Sequence, residues 1–413
     1  MGKQLVPLTM IAALLGLAGS ALTIGFVPDH PTWWRAAVSL AVLGGITPMI
    51  YAVNIRVVPV FSRRVWASLR LLRAQVALLI AGAWIVFAGR IDGRDVVIQF
   101  GSLLALASGI LFMANLVKLF KQEPKTPPPP APFPNQIEID RLAVKFTRWA
   151  GIYLLVGLII GVVIAFWTPS NGRWDLVWAH AMLVGFMLSM AAGTSYHVLS
   201  RWTGHPWRST TPVRLHLIVM TIGLPLMLLA LATDELTLFK IAGPLQAAAV
   251  ILFLSTIAPL AMKMPGRSKP AMLAAAFALA IGVSLGAWFA IEVVAGVRLR
   301  MAHAEINLFG WTGLLICGVG YYLVPRFAGH PLRWPRLANL QLALLGTGIV
   351  VGAVALSFRG YGHVNTTAIL GAQIMVALGF TLFAVIVGGT FFAKKSPVTV
   401  SQIQIAKARP GRA

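Results

Sequence analysis

The sequence predicts an all-α, polytopic membrane protein of about twelve transmembrane helices in three groups of four. Three observations predict it. Of the 413 residues, 58% are hydrophobic and only 11% are charged, more apolar surface than a soluble domain can expose. Apolar runs of about 20 residues, the length that crosses a bilayer, recur twelve times. The basic residues also collect in alternate loops.

The first run, 5–28, follows Lys3 and stays apolar beyond signal-peptide length without a cleavage pattern, so it reads as an uncleaved helix. The second, 36–60, follows a loop with Asp29, His30, Trp33 and Trp34, an interfacial composition. Arg70 and Arg73 enter the third, 65–89, from its basic end, where they read as snorkelling anchors rather than ligands of a buried anion. The fourth, 95–120, completes a four-helix domain, 1–121, with no histidine inside the membrane.

Residues 122–140 contain EPKTPPPPAPFPN, too rich in proline for a packed element, and read as an extended linker. An eight-helix domain, 141–413, follows. Its runs are 141–168, 174–201, 211–232 and 238–262, then 270–294, 300–326, 337–358 and 365–393.

The net charge is +23. In a twelve-helix topology the excess falls on one side: Lys3, Arg63 and Arg64, the loop from Lys118 to Arg148, Arg201 to Arg214, Lys263 to Lys269, Arg326 to Arg336 and the tail from Lys394. On the other side acids balance bases. The distribution is a topology signal and not a nucleic-acid footprint. By the positive-inside rule it places both termini in the cytoplasm of a bacterial inner membrane, with anionic lipid headgroups as partner. The single cysteine, Cys317, lies mid-helix and reads as a packing residue, which leaves no disulfide framework or thiolate metal site.

The run Trp174 to Arg208 organises the chain, and a degenerate copy begins at Met301. Aligned on Gly204-His205-Pro206 and Gly329-His330-Pro331, the copies also match Arg201 with Arg326, Tyr196 with Tyr321, Gly193 with Gly318 and Gly185 with Gly310. The second run is a faded third copy, with Gly44 where Gly310 falls and Ala37 where His303 falls. The chain is therefore an internal repeat whose second helix, in two of three units, carries a histidine inside the membrane.

Depth sorts those histidines. His180 and His303 start the sixth and tenth helices near the external third of the bilayer, and His363 lies at the external mouth of the twelfth. These three are the candidate metal donors, with His180 and His303 the candidate cofactor ligands. A neutral imidazole is a usual axial ligand of haem b in membranes, and two facing helices can hold iron from both sides. His197 lies about 25 Å along the helix from His180 and cannot share its metal. His205 and His330 read as turn residues. Gly185, Gly193, Gly310 and Gly318 leave room for a flat macrocycle or for close helix packing. Glu305, the one carboxylate within a helix and the candidate catalytic group, lies about 200° around the helix from His303. It would relay a proton or orient a ligand, or stand hydrated near the surface.

The segment H-A-M-L-V-G-F…A-G-T-S-Y-H-V-L-S-R-W, 180–202, resembles the haem-ligand helix of haem-copper oxidase main subunits, especially the cbb type and the related nitric oxide reductases. A-H-A-E-I-N-L-F-G-W, 302–311, is similar to an element of short proteins related to that subunit, and R-W-T-G-H-P resembles the NnrS family of haem proteins. The resemblance implies a pseudo-threefold plan, haem b, a second metal such as copper, and a role in nitric oxide handling or respiratory electron transfer with a redox partner. The family's His-His pair and His-x-His are absent here, as is a histidine in the second helix, so one haem, alone or with an ill-defined second metal, is the expectation. A secondary transporter, or a cofactor-free assembly partner of a terminal oxidase, are the alternative functions.

Overall fold

The computed structural model describes residues 4–127, 130–167 and 172–393. It contains twelve helices long and apolar enough to cross a membrane. These are α1 (Leu5–Phe26), α2 (Pro31–Ser62), α3 (Leu69–Asp92), α4 (Asp95–Phe120), α5 (Gln136–Phe166) and α6 (Arg173–Thr203). The others are α7 (Thr211–Thr233), α8 (Leu236–Ala261), α9 (Ser268–Phe289), α10 (Val293–Ala328), α11 (Pro335–Gly360) and α12 (Thr366–Phe391). No strand occurs among the described residues.

The expected run 300–326 is the interior of a longer helix, α10, which begins at Val293. Hydropathy ends a run at Arg298 and Arg300, whereas backbone hydrogen bonding continues through them. Ser68 caps α3 by accepting from the Leu71 N–H at 3.3 Å, and Asn365 caps α12 by accepting from Ala368 at 2.9 Å. α6 and α10 end alike. Gly204 (φ 71°) and Gly329 (φ 73°) take the left-handed conformation that a side chain resists. The following histidine N–H then reaches back to the Ser200 or Pro325 carbonyl at 3.2 Å in both copies.

The three groups share one packing plan. In each the first helix packs along the second, and the third along the fourth, as α3 with α4, α7 with α8 and α11 with α12. The groups meet at equivalent seams, α4 on α5, α8 on α9 and α12 on α1, so the arc closes on itself. The first four helices thus pack against the rest at two seams, and the linker's start is tied down as well. Arg64 Nε donates to the Gln122 carbonyl at 2.6 Å, and Lys125 N–H to the Arg63 carbonyl at 2.9 Å.

The second helices α2, α6 and α10 meet at the centre. Over their most apolar stretches α2 and α10 are 83% and 78% buried, against 28% for α7 and α9, which face lipid. Phe61 of α2 sits 4.4 Å edge-on to His197 of α6, and Trp202 of α6 stacks on Tyr322 of α10 at 4.3 Å. Each inner helix carries a π-helical segment in one register: 40–46, 181–188 and 306–313. Such a segment frees carbonyls from the α ladder. Thr47 and Thr312 take up two of them, donating to the Val42 and Asn307 carbonyls five residues back at 2.8 and 2.9 Å. Small residues let the backbones approach: a Cβ at Gly16 of α1 would lie 2.4 Å from the Gly44 carbonyl oxygen of α2.

Candidate functional site

His180 is the last α-helical residue before the π-helical segment of α6. Its Nδ1 lies 2.8 Å from the Leu176 carbonyl one turn earlier. A carbonyl can only accept, so Nδ1 carries the proton and Nε2 presents a lone pair. No described residue bonds that Nε2, and the ring is half-buried. This is the orientation of a metal-ligand imidazole, whose second nitrogen is fixed by a hydrogen bond to the protein.

His303 stands on α10 against α9. A Cβ at Gly286 would come within 3.1 Å of its Cε1, and the Phe289 ring lies 5.4 Å away. Asn307, one turn on, donates to the His303 carbonyl at 2.8 Å and wedges into the gap left at Gly282. His180 and His303 thus ride on two different inner helices. The two are not equivalent in the repeat, however. In the register set by Gly204 and Gly329, and matched by the π-helical segments, His180 corresponds to Glu305 and His303 to Trp178.

Glu305 is fully buried, which removes the hydrated alternative. Its Oε1 accepts from Gln373 Nε2 of α12 at 2.9 Å, and its Oε2 has no partner. It points towards Gly352 of α11, where a Cβ would meet Oε1 at 2.9 Å. His363 is exposed in the turn after α11, where its N–H closes that helix on Phe358. Among the described residues no three His, Cys, Asp or Glu side chains gather to hold a metal ion, so His180, His303 and His363 do not form a three-donor set. The physical reason is that His363 belongs to a solvent-facing turn, whereas the other two ride on inner helices.

The repeated glycines serve packing. A Cβ at Gly185 would lie 2.5 Å from the Tyr153 ring, one at Gly193 2.8 Å from the Ala143 carbonyl, and one at Gly318 2.8 Å from Met272. At Gly310 it would meet Ala278 at 3.1 Å. Neighbouring helices therefore fill the room that a macrocycle would need at these four positions. The donor chemistry of the two histidines fits an axial ligand; the glycines supply no cradle.

His197 lies at the basic face. Asp140 of α5 accepts from its Nδ1 at 2.9 Å and from both terminal nitrogens of Arg201 at 2.9 and 2.6 Å. Gln136 donates to the same carboxylate at 2.7 Å and accepts from Ser200. A further interior group, His216 of α7, escaped the reading by depth. It is fully buried between Phe146 and Phe253, and its Nδ1 lies 2.9 Å from the Tyr196 hydroxyl. The repeat register could have found it, because Gln75 and Gln341 fall at the same position and are equally buried.

No protein-family model and no curated protein matches the chain. Among solved structures it is similar to a haem-copper terminal oxidase dimer determined by cryo-electron microscopy, with a TM-score of 0.71 and 13% identity. The superposition covers 96% of this chain and 85% of that one. The fold matches that of a haem-copper terminal oxidase. At this identity the likeness concerns the twelve-helix architecture.

Proposed function

We propose that the protein binds haem b through His180 and His303 and acts in nitric oxide handling or respiratory electron transfer. One observation carries the reading. His180 is held with Nδ1 on the Leu176 carbonyl and Nε2 open on one inner helix, and His303 rides on another. The oxidase-like fold and the likeness of 180–202 and 302–311 to cbb-type, nitric oxide reductase and NnrS-type segments support it. A bound haem would supply one-electron redox chemistry at its iron.

The chain's own part is to bind and orient. The Leu176 carbonyl fixes the His180 tautomer, Asn307 anchors the turn that carries His303, and Phe289 shields that ring. Copper finds no three-donor set among the described residues. The bacterial inner membrane, cytoplasmic termini and a respiratory redox partner belong to the same reading, resting on the loop charges.

The filled space at Gly185, Gly193, Gly310 and Gly318 favours a second reading, a cofactor-free relative that assembles with an oxidase. Absorbance and a pyridine haemochrome assay on the purified full-length protein separate the two. A Soret band with haem b supports the first. A colourless, folded protein from haem-replete cells removes it.

A further inference from the structure

The outer face of the bundle carries a groove of about 400 Å³ between α5 and α7. Ile152, Leu217, Ile218 and Ile222 line its apolar part, and Lys145, Arg148 and Trp149 border one end. We propose that this groove is a specific site for an anionic phospholipid. The acyl chain would lie along the isoleucines, and the phosphate would rest on Lys145 and Arg148. The inference does not depend on haem binding.

Depth is the first support. From Trp149 to Phe166, α5 carries no charge, a run of about 27 Å at 1.5 Å per residue, close to the ~30 Å hydrocarbon core. Arg148 and Trp149 therefore mark the boundary between headgroups and hydrocarbon, and an indole is at home there. On α7 the last cation before the apolar run is Arg214, so Leu217 to Ile222 occupy the first turns inside the same boundary.

Charge is the second support. The acids at this end of α5 are already engaged: Glu138 pairs with Arg214, and Asp140 with Arg201 and His197. Lys145 and Arg148 are exposed and pair with no carboxylate of the described residues. Two unpaired cations one turn apart, at headgroup depth and above an apolar groove, match a diester phosphate with an attached acyl chain. A zwitterionic lipid would add a like charge beside them. The groove also leads inward: Trp149, Leu217 and Thr221 continue into a smaller cleft that reaches Ser189 of α6. A lipid seated here would touch the packing of an inner helix.

The test uses the full-length protein in neutral detergent. Phosphatidylglycerol, phosphatidylcholine and inorganic phosphate are each added, with retained lipid read by native mass spectrometry and melting temperature by fluorimetry. Phosphatidylglycerol should be retained several-fold more than phosphatidylcholine and should raise the melting temperature; phosphate alone should do neither. The exposed double substitution Lys145→Gln/Arg148→Gln should erase the preference with the lipid-free melting temperature unchanged. Ile218→Trp, which fills the groove, should also reduce retention. Equal retention of both lipids, an unchanged preference in the double variant, or the full effect with phosphate alone would overturn the proposal.

Discussion

The Tyr196 hydroxyl lies 2.9 Å from Nδ1 of His216 in the interior between α6 and α7. Tyr321 makes the equivalent contact in the next group, donating to Gln341 Oε1 at 2.5 Å. Gln75 holds the same position in the first group, where its Oε1 accepts from Asn115 at 2.6 Å. One inward-facing polar position thus recurs on the third helix of every group, filled by glutamine twice and histidine once. His216→Gln should keep the protein within about 0.5 kcal/mol of its stability, because glutamine already serves there. His216→Leu should cost about 1–3 kcal/mol by taking the hydrogen-bond partner from Tyr196. Melting in detergent checks both; a leucine variant as stable as the glutamine variant would remove the hydrogen bond's role.

His180→Ala should abolish or convert the haem spectrum, since a proposed histidine donor would be lost. His303→Ala should do the same if both histidines hold the group, and should leave an altered spectrum if His303 only lies next to it. His197→Ala should leave the Soret band in place, because His197 bonds Asp140 at the basic face. A haem lost only with His197 would move the site to that face.

Gly185→Ala should destabilise by about 1–3 kcal/mol, because the added methyl would lie 2.5 Å from the Tyr153 ring. Tyr153→Ala makes room for that methyl, so the double variant should lose less than the two single losses combined. The opposite pattern, a lost Soret band with unchanged melting, would make Gly185 a cofactor cradle.

Reporter fusions in the linker and after Ala413 should both report the cytoplasm, since the basic excess lies on the side shared by α1's start and the linker. An external signal from either would invert the depth assignment of His180 and His303.

A fragment of residues 141–413 contains both proposed donors and should retain haem. It should melt lower than the full chain, because α12 loses its cover from α1, where Gly25 closes on Gln373. A folded fragment without haem would show that the first four helices complete the site.

The sequence by itself determined the twelve spans and the charge asymmetry, because hydrocarbon thickness and headgroup charge act on local runs of residues. It also determined the repeat, since the Gly-His-Pro turns need a left-handed glycine at Gly204 and Gly329 whatever surrounds them. Only the tertiary structure decided how each repeated residue is used. Gly185 and Gly310 look like open space along the chain, yet they are filled by Tyr153 and Ala278, because close packing is a property of facing helices. Glu305 looked shallow enough to be wet, yet Gln373 and Gly352 enclose it. His216 follows Arg214 by two residues, yet α7 turns it inward onto Tyr196. Burial and partners come from other helices, and no run of residues read along one helix contains them.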